Sequence, residues 1–257
     1  MKIIDTHAHY DHKQFNEDRN ELLPNLPNLG IEYVINVGSD MKSTEASIKL
    51  AEKYPHIYAS VGVHPHYASV FKDPTNLDKL RDFAGSKKVV AYGEIGLDFF
   101  HNFSPPDMQR QWFKEQLNMA CELGMPVIIH SRDAHDEVFG IIEASTARKG
   151  VIHSFSGDAA LAKRYIALGF YIGIGGVVTF KKADVLKEVC KVVPLSKILL
   201  ETDCPYLAPH PFRGKRNDST KLNLVAEEIA KIKGVSVEEV CTATTRNAKD
   251  LFGIAAC

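Results

Sequence analysis

The sequence lacks the features of a membrane protein, a disulfide scaffold or a strongly charged chain. No apolar stretch approaches the ~20 residues of a membrane span, and the polar N-terminus MKIIDTHAHYDH has no signal-peptide core. The five cysteines are odd in number, widely spaced and form no CxxC pair, which favours a reducing compartment. We therefore expect a cytoplasmic protein without membrane contact, and nothing indicates an obligate protein partner.

Charge and several catalytic motifs are also missing. The net charge of −1 provides no long-range attraction for a polyanion, so a nucleic-acid-binding surface would have to be local. The chain has no GxSxG elbow and no P-loop. Gly173, Gly175 and Gly176 match a dinucleotide fingerprint only in part, because the third glycine is absent. These absences argue against serine-hydrolase, P-loop and dinucleotide chemistry.

What the chain does contain is a regular series of strand-like segments. Its 257 residues are close to the roughly 250 typical of a (β/α)8 barrel. Near-continuous apolar, β-branched runs are typical of parallel strands that are buried on both faces. Eight such runs occur, at residues 3–7, 33–37, 58–63, 89–94, 127–130, 151–154, 171–174 and 198–203.

Helical segments separate many of these runs. The clearest are residues 43–54, 106–123, 159–168, 221–233 and 236–248. Alternating strands and helices imply a parallel sheet, either closed into a barrel or open and doubly wound. We predict an α/β fold, a (β/α)8 TIM barrel, that forms a single domain over residues 1–257. The barrel is preferred because the polar residues fall at strand ends, where barrel enzymes hold their active sites.

Residues that bind metal recur at those strand ends. Imidazoles suit zinc and similar ions, and carboxylates can bridge two cations. The first strand ends in His7-Ala8-His9, whose two imidazoles face the same side. The predicted ligands are His7, His9, Glu94, His130, His153 and Asp203.

Each of these residues has a structural alternative when it is taken alone. A lone strand-end histidine is more often a hydrogen-bonded structural residue, Glu94 could be an ion-pair partner, and Asp203 could cap the next segment. Their combination at five strand ends favours a metal centre. His64 follows the third strand and is expected to face the same mouth, whereas His66 lies farther past the strand and is less favoured. The remaining histidines, which are His12, His56, His101, His135 and His210, are interpreted as surface or supporting residues.

The chain resembles the TatD family of metal-dependent deoxyribonucleases, within the amidohydrolase-like superfamily. The matching segments span nearly the whole length; they are IDTHAHYD (4–11), SVGVHPH (60–66), GEIGLDFF (93–100), VIIHSRDA (127–134), GVIHSFSG (150–157), GIGGVVTF (173–180), LLETDCPYLAPHPFRGKRN (199–217) and TTRNAKDLF (244–252). The resemblance implies two divalent ions (Mg²⁺, Mn²⁺ or Zn²⁺) held by the six predicted ligands and bridged by Glu94. It also implies 3′–5′ exonuclease activity on DNA, with RNA as a further substrate.

Roles follow for single residues if the substrate is a phosphodiester. Asp203 is expected to ligate metal and to accept a proton from the attacking water as general base. Glu201 lies two residues earlier and is expected to support a ligand. His64 is expected to hydrogen-bond a phosphate oxygen, and Arg132 and Arg213 to clamp the phosphate.

A rival hypothesis is hydrolysis of an amide or ester, such as that of a D-aminoacyl-tRNA, because this superfamily includes such hydrolases and a shared fold does not determine function. The segment PFRGKRN (211–217) separates the two hypotheses. Its cations and aromatic ring favour a phosphate-rich polymer. The alternative interpretation of this segment is a solvated charged loop.

Overall fold

The computed structural model describes residues 2–69, 75–101 and 103–254. Within them, eight parallel strands form one sheet in chain order. The strands are Ile3–Ala8 (β1), Ile31–Asn36 (β2), Ile57–Val61 (β3), Val89–Asp98 (β4), Val127–Arg132 (β5), Gly150–Ile152 (β6), Tyr171–Ile174 (β7) and Ile198–Leu200 (β8). The predicted (β/α)8 fold is confirmed, and the chain forms a single domain.

Helices connect the strands and cover the outside of the barrel. They are Arg19–Asn25 (α1), Met41–Lys53 (α2), Thr75–Ala84 (α3), Pro106–Glu122 (α4), His135–Ala144 (α5), Ala159–Ala167 (α6), Asp184–Val192 (α7), Leu222–Lys233 (α8) and Val237–Phe252 (α9). The predicted start of α2 at Ser43 was wrong, because Asp40 caps this helix by accepting a hydrogen bond from the Ser43 N–H. No helix in the described ranges is both long and apolar enough to cross a membrane.

The barrel closes between β1 and the chain that follows β8. The Asp203 N–H donates to the carbonyl of His7 at 2.9 Å. Beneath this contact, the buried Asp5 carboxylate accepts hydrogen bonds from the Thr202 N–H at 3.0 Å and the Thr202 hydroxyl at 2.6 Å. The Ser219 hydroxyl also donates to Asp5, at 2.6 Å. One buried side chain therefore joins the first strand to the end of the last one.

The two largest errors in the predicted strand boundaries lie at the mouth of the barrel. The fourth strand continues past Glu94 to Asp98, where it still pairs with β5 at Arg132. The eighth strand ends at Leu200 rather than at Asp203. Asp203 has a left-handed φ of 57°, which a continuing strand does not allow. This turn places its carboxylate over the mouth instead of along the barrel wall.

Candidate metal centre

The six predicted ligands converge at the C-terminal mouth of the barrel. His7, Glu94 and His130 lie within β1, β4 and β5. His9 and His153 follow directly after β1 and β6, and Asp203 lies just past the end of β8. Five of the six line a cavity of about 540 Å³, whose lining also includes His64, His66, Asp98 and Arg132, whereas His7 is fully buried. This is the end of the barrel where such folds hold their catalytic groups.

Glu94 lies at the centre of this cluster and is buried. Its Oε2 lies 3.3 Å from His7 Nε2, and its Oε1 lies 2.8 Å from His130 Nδ1. The same Oε1 is 3.6 Å from His64 Nε2 and 3.9 Å from His153 Nε2. The two carboxylate oxygens therefore face different sets of imidazoles, as a carboxylate shared by two cations requires.

Asp203 approaches the cluster from above. Its Oδ1 lies 3.4 Å from His9 Nε2 and 3.8 Å from the Nε2 atoms of both His7 and His153. Donor atoms closer than 4.8 Å to one another form three groups among the described residues, which are His7–His153–Asp203, His7–His9–Glu94 and His64–Glu94–His130. The site thus presents several overlapping sets of nitrogen and carboxylate donors.

Partners outside the cluster orient most of the imidazoles. His9 Nδ1 lies 3.0 Å from the Val37 carbonyl, and His153 Nδ1 lies 3.0 Å from Glu201 Oε1. A partner on the outer nitrogen fixes the tautomer and leaves the inner nitrogen free to bind metal. Glu201 therefore lies where a supporting residue is expected, and it also accepts the Ser154 N–H at 2.6 Å.

Asp98 belongs to the same mouth but was not singled out from the sequence. It ends β4, and its Oδ2 lies 2.7 Å from His66 Nε2 and 3.2 Å from His130 Nε2. Because His130 Nδ1 faces Glu94, Asp98 fixes this ring from the other side. Its spacing of four residues from Glu94 on the same strand face was the available signal. The contact also places His66, the less favoured histidine, at the site.

The electrostatics of the cluster fit a cationic occupant. Burial raises the pKa of Glu94, but His64 and His7 outweigh it and hold this pKa well below its usual value. Burial lowers the pKa of His9 and of His153, but Asp203 acting on His9 raises the first to about 9, and Glu201 acting on His153 raises the second to about 10. Glu94 thus stays charged, and without metal the compensating positive charge is carried by protonated His9 and His153. Divalent cations would supply that charge, and the imidazole and carboxylate donors suit them.

The cationic residues predicted to hold phosphate are not all at the cavity. Arg132 lines it, whereas Arg213 lies in an adjoining groove with Lys215 that shares Tyr206 and Leu207 with the cavity wall. The loop 211–217 is therefore connected to the mouth but lies to one side of it.

Arg216 is a correction to the basic cluster expected in that loop. Its Nη1 lies 2.8 Å from Asp18 Oδ1, and the second guanidinium nitrogen reaches the other carboxylate oxygen. Arg216 therefore already uses, in a bidentate ion pair, the guanidinium N–H groups that would otherwise bind a phosphate. Arg216 is thus a structural cation of the loop.

A parallel barrel with histidines and carboxylates at its mouth is an arrangement that metal-dependent hydrolases use. A model of the family described as "TatD related DNase" matches residues 4–253, and the chain belongs to this family. The chain is 40% identical over 254 residues to "Uncharacterized metal-dependent hydrolase YabD" of Bacillus subtilis, which covers 98% of this chain and 99% of the relative. It is 34% identical to "3'-5' ssDNA/RNA exonuclease TatD" of Escherichia fergusonii, covering 98% and 99% of the two chains.

Solved structures agree with the family and the fold. The TatD homologue YJJV of Escherichia coli superposes with a TM-score of 0.92 at 32% identity, covering 98% of both chains. An organophosphorus hydrolase from Deinococcus radiodurans superposes with a TM-score of 0.64 at 14% identity, which shows a shared barrel fold alone.

Proposed function

We propose that the protein is a divalent-metal-dependent 3′–5′ nuclease that cleaves phosphodiester bonds of single-stranded DNA, and also of RNA. The observation that carries this proposal is Glu94, whose two oxygens face separate sets of imidazoles beneath Asp203. Two metal ions flanking an in-line displacement are a common solution for phosphodiester hydrolysis. The relative from Escherichia fergusonii, named as an exonuclease on single-stranded DNA and RNA, supports the substrate class.

Two ions are proposed, with Glu94 shared between them. His7 and His9, which group with Glu94, would hold one ion, and His130 and His153, which both face Glu94 Oε1, would hold the other. Asp203 would reach both from above. The mixed nitrogen and oxygen donors suit Zn²⁺ or Mn²⁺, and Mg²⁺ is the third ion to be tested. When bound, such ions lower the pKa of water and neutralise charge on phosphoryl oxygens.

The residues around the proposed ions have separate roles in proton transfer and phosphate binding. Asp203 has a lowered pKa, because burial, which raises it, is outweighed by the hydrogen bond from His9 and the charge of His153, so it is ionised and can accept a proton from the attacking water. His64 Nδ1 accepts the His66 N–H at 3.1 Å, so the proton of this neutral ring lies on Nε2. His64 Nε2 can then donate to a phosphate oxygen in the cavity.

The surroundings of the mouth favour a polymeric substrate over a small amide or ester. Arg132 lines the cavity, and the groove of Arg213 and Lys215 continues from it past Tyr206. Cations beside an aromatic ring along an open track are typical of surfaces that follow a nucleic-acid backbone. Hydrolysis of an aminoacyl ester of tRNA is the alternative that the experiment must distinguish from phosphodiester cleavage.

The experiment compares substrates on purified protein with Mg²⁺, Mn²⁺ or Zn²⁺. Single-stranded DNA labelled at either end, duplex DNA, RNA, D-aminoacyl-tRNA and small amides form the panel, and Asp203→Asn is the inactive control. We expect stepwise shortening of single strands from the 3′ end, with DNA preferred. Deacylation of D-aminoacyl-tRNA without cleavage of any phosphodiester would replace the nuclease by an ester hydrolase.

A further inference from the structure

Exposed aromatic side chains are concentrated at one end of the barrel. Five large aromatic residues of the described chain are well exposed, and all five follow the C-terminal ends of β3, β4 or β8; they are Tyr67, Phe100, Phe103, Tyr206 and Phe212. Isolated exposed apolar residues are ordinary on protein surfaces. Their confinement to the loops around the metal centre indicates a shared role at the mouth.

The loop after β4 carries the most exposed pair. Phe100 is 56% exposed and Phe103 is 65% exposed. His101 joins them, because its ring is nearly parallel to that of Phe103 at an interplanar angle of 6° and meets the ring of Phe100 edge-on at 4.7 Å between centroids. We call Phe100, His101 and Phe103 the β4 ridge.

The β4 ridge is continuous with the wall of the catalytic cavity. Arg132 and His101 line that cavity, and Arg132 Nη1 lies 3.2 Å from His101 Nε2. The guanidinium carbon of Arg132 lies 4.0 Å from the centre of the Phe100 ring. A cation that can hold a phosphate therefore lies between the metal centre and the exposed rings.

We propose that the β4 ridge is a stacking site for an unpaired nucleobase of single-stranded nucleic acid, next to the phosphate held by Arg132. This inference rests on the proposed nuclease function. Every base has a π-face, so aromatic platforms bind single strands with little sequence preference. In a duplex, both faces of a base are covered by its neighbours, so the ridge would select unpaired strands.

The position of the ridge in the barrel gives the strand a path. With eight strands in chain order, β4 and β8 lie on opposite sides of the mouth. The groove of Arg213 begins on the β8 side, and the ridge lies on the β4 side. A strand that crosses the mouth would meet cations on one side, the metal centre in the middle and the stacking rings on the other.

The test compares two probes that differ only in their bases. One is a short oligodeoxythymidylate, and the other has the same phosphates with abasic tetrahydrofuran residues. Binding is measured with the Asp203→Asn protein, with and without Phe100→Leu and Phe103→Leu together. Leucine keeps an apolar surface but removes the π-face. The control is Leu29→Ala, because Leu29 is 51% exposed and lies before β2 at the opposite end of the barrel.

We expect the parent protein to prefer the base-containing strand by about 5- to 150-fold for one stacked base. The double leucine variant should lose this preference, measured as the ratio of its affinities for the two strands, since any change in phosphate binding through Arg132 affects both strands alike. Leu29→Ala should retain the preference. Equal affinities for the two probes in the parent protein, or a preference that survives the leucine substitutions, would overturn the proposal.

Two further measurements separate the ridge from the function on which it rests. Hydrolysis of bis(p-nitrophenyl) phosphate by the wild type tests phosphodiester chemistry without any base. If this diester is cleaved but bases make no difference to binding, the stacking site is wrong and the nuclease stands. If no phosphodiester is cleaved and no oligonucleotide binds, both fail. A dimer that the leucine substitutions convert to a monomer without changing base preference would assign the ridge to a second copy of this chain.

Discussion

At the scale of single residues, the candidate metal centre depends on which nitrogen of each imidazole faces the carboxylates. His153 Nε2 faces Glu94 and Asp203 because Glu201 holds the opposite nitrogen. His130 is reversed, with Nδ1 toward Glu94 and Nε2 toward Asp98. Glu201 and Asp98 therefore determine which nitrogen of each ring faces the site and is free to bind metal.

The first prediction separates Asp203 from Glu201. Asp203→Asn should lower kcat by orders of magnitude, because an amide cannot accept the proton from water. Glu201→Gln should cost about 10- to 100-fold, since it only loosens the orientation of His153. Steady-state kinetics with saturating metal measures both. If Glu201→Gln is the more damaging change, the two roles are reversed.

A second prediction concerns Asp98, which contacts His130 and His66 rather than the proposed ions. Asp98→Asn should weaken metal binding by about 10- to 100-fold, because Oδ2, the Asp98 atom that contacts His130 Nε2, is replaced by an amide nitrogen that cannot accept its proton. Competition with a chelator measures the affinity. Asp133→Asn is the matched control, since it removes an exposed carboxylate that follows the neighbouring strand β5. Equal affinities in the two variants would limit Asp98 to holding the β4 loop.

At the scale of elements, the loop after β8 separates two arginines that the sequence cannot distinguish. Arg216 is paired with Asp18, whereas Arg213 lies over the Phe180 ring with its guanidinium carbon 4.7 Å from the centroid. Arg213 is exposed in the groove that meets the cavity. Both line this groove, but Arg216 is held by Asp18, so Arg213 is the better candidate to bind a phosphate.

The third prediction uses this difference. Arg213→Ala should weaken binding of a single-stranded oligonucleotide and flatten the slope of log affinity against log salt by about 0.7, because one phosphate contact is lost. Arg216→Ala should leave the slope unchanged. Both are measured by salt titration in the Asp203→Asn background. Identical slopes in the parent and both variants would mean that neither arginine contacts a phosphate and that the loop is an ordinary solvated surface.

At the scale of the whole molecule, the barrel has a core that does not include the candidate metal centre. Two clusters of buried apolar side chains form this core. Below the mouth, the hydrogen bonds of Asp5 join the first strand to the chain that follows the last one. The ions are expected to stabilise this fold by binding it, without being needed to form it.

The fourth prediction follows from that separation. Chelation should abolish activity and leave the circular dichroism of a folded barrel. Returning metal at 100 times its Kd should add about 2.7 kcal/mol per site, which corresponds to roughly 5–10 °C in Tm for a chain of this size. Glu94→Ala should remove most bound metal and most of that shift, whereas Glu52→Ala, an exposed change in α2, should keep both. Full metal content in Glu94→Ala would rule out a shared carboxylate.

The barrel and the convergence of the predicted ligands were accessible from the sequence for a simple reason. Parallel strands carry all their C-terminal ends to one mouth, so His7, Glu94 and His130 meet whatever the details of the loops. Their metal-binding role stays a prediction. Boundaries were less accessible, because the strand pattern of β8 continues through Glu201 while the backbone turns at Asp203.

By itself, the sequence determined the order of the strands, the residue types at their ends and the membership of the TatD family, because these depend on local pattern and residue identity. Only the tertiary structure decided that Asp98 joins His66 to His130, that Asp18 occupies Arg216, and that Phe100 and Phe103 form a surface with Arg132. These contacts link segments whose separation along the chain is set by loops. Loop conformation depends on three-dimensional packing and hydrogen bonding, which no periodicity in the sequence records.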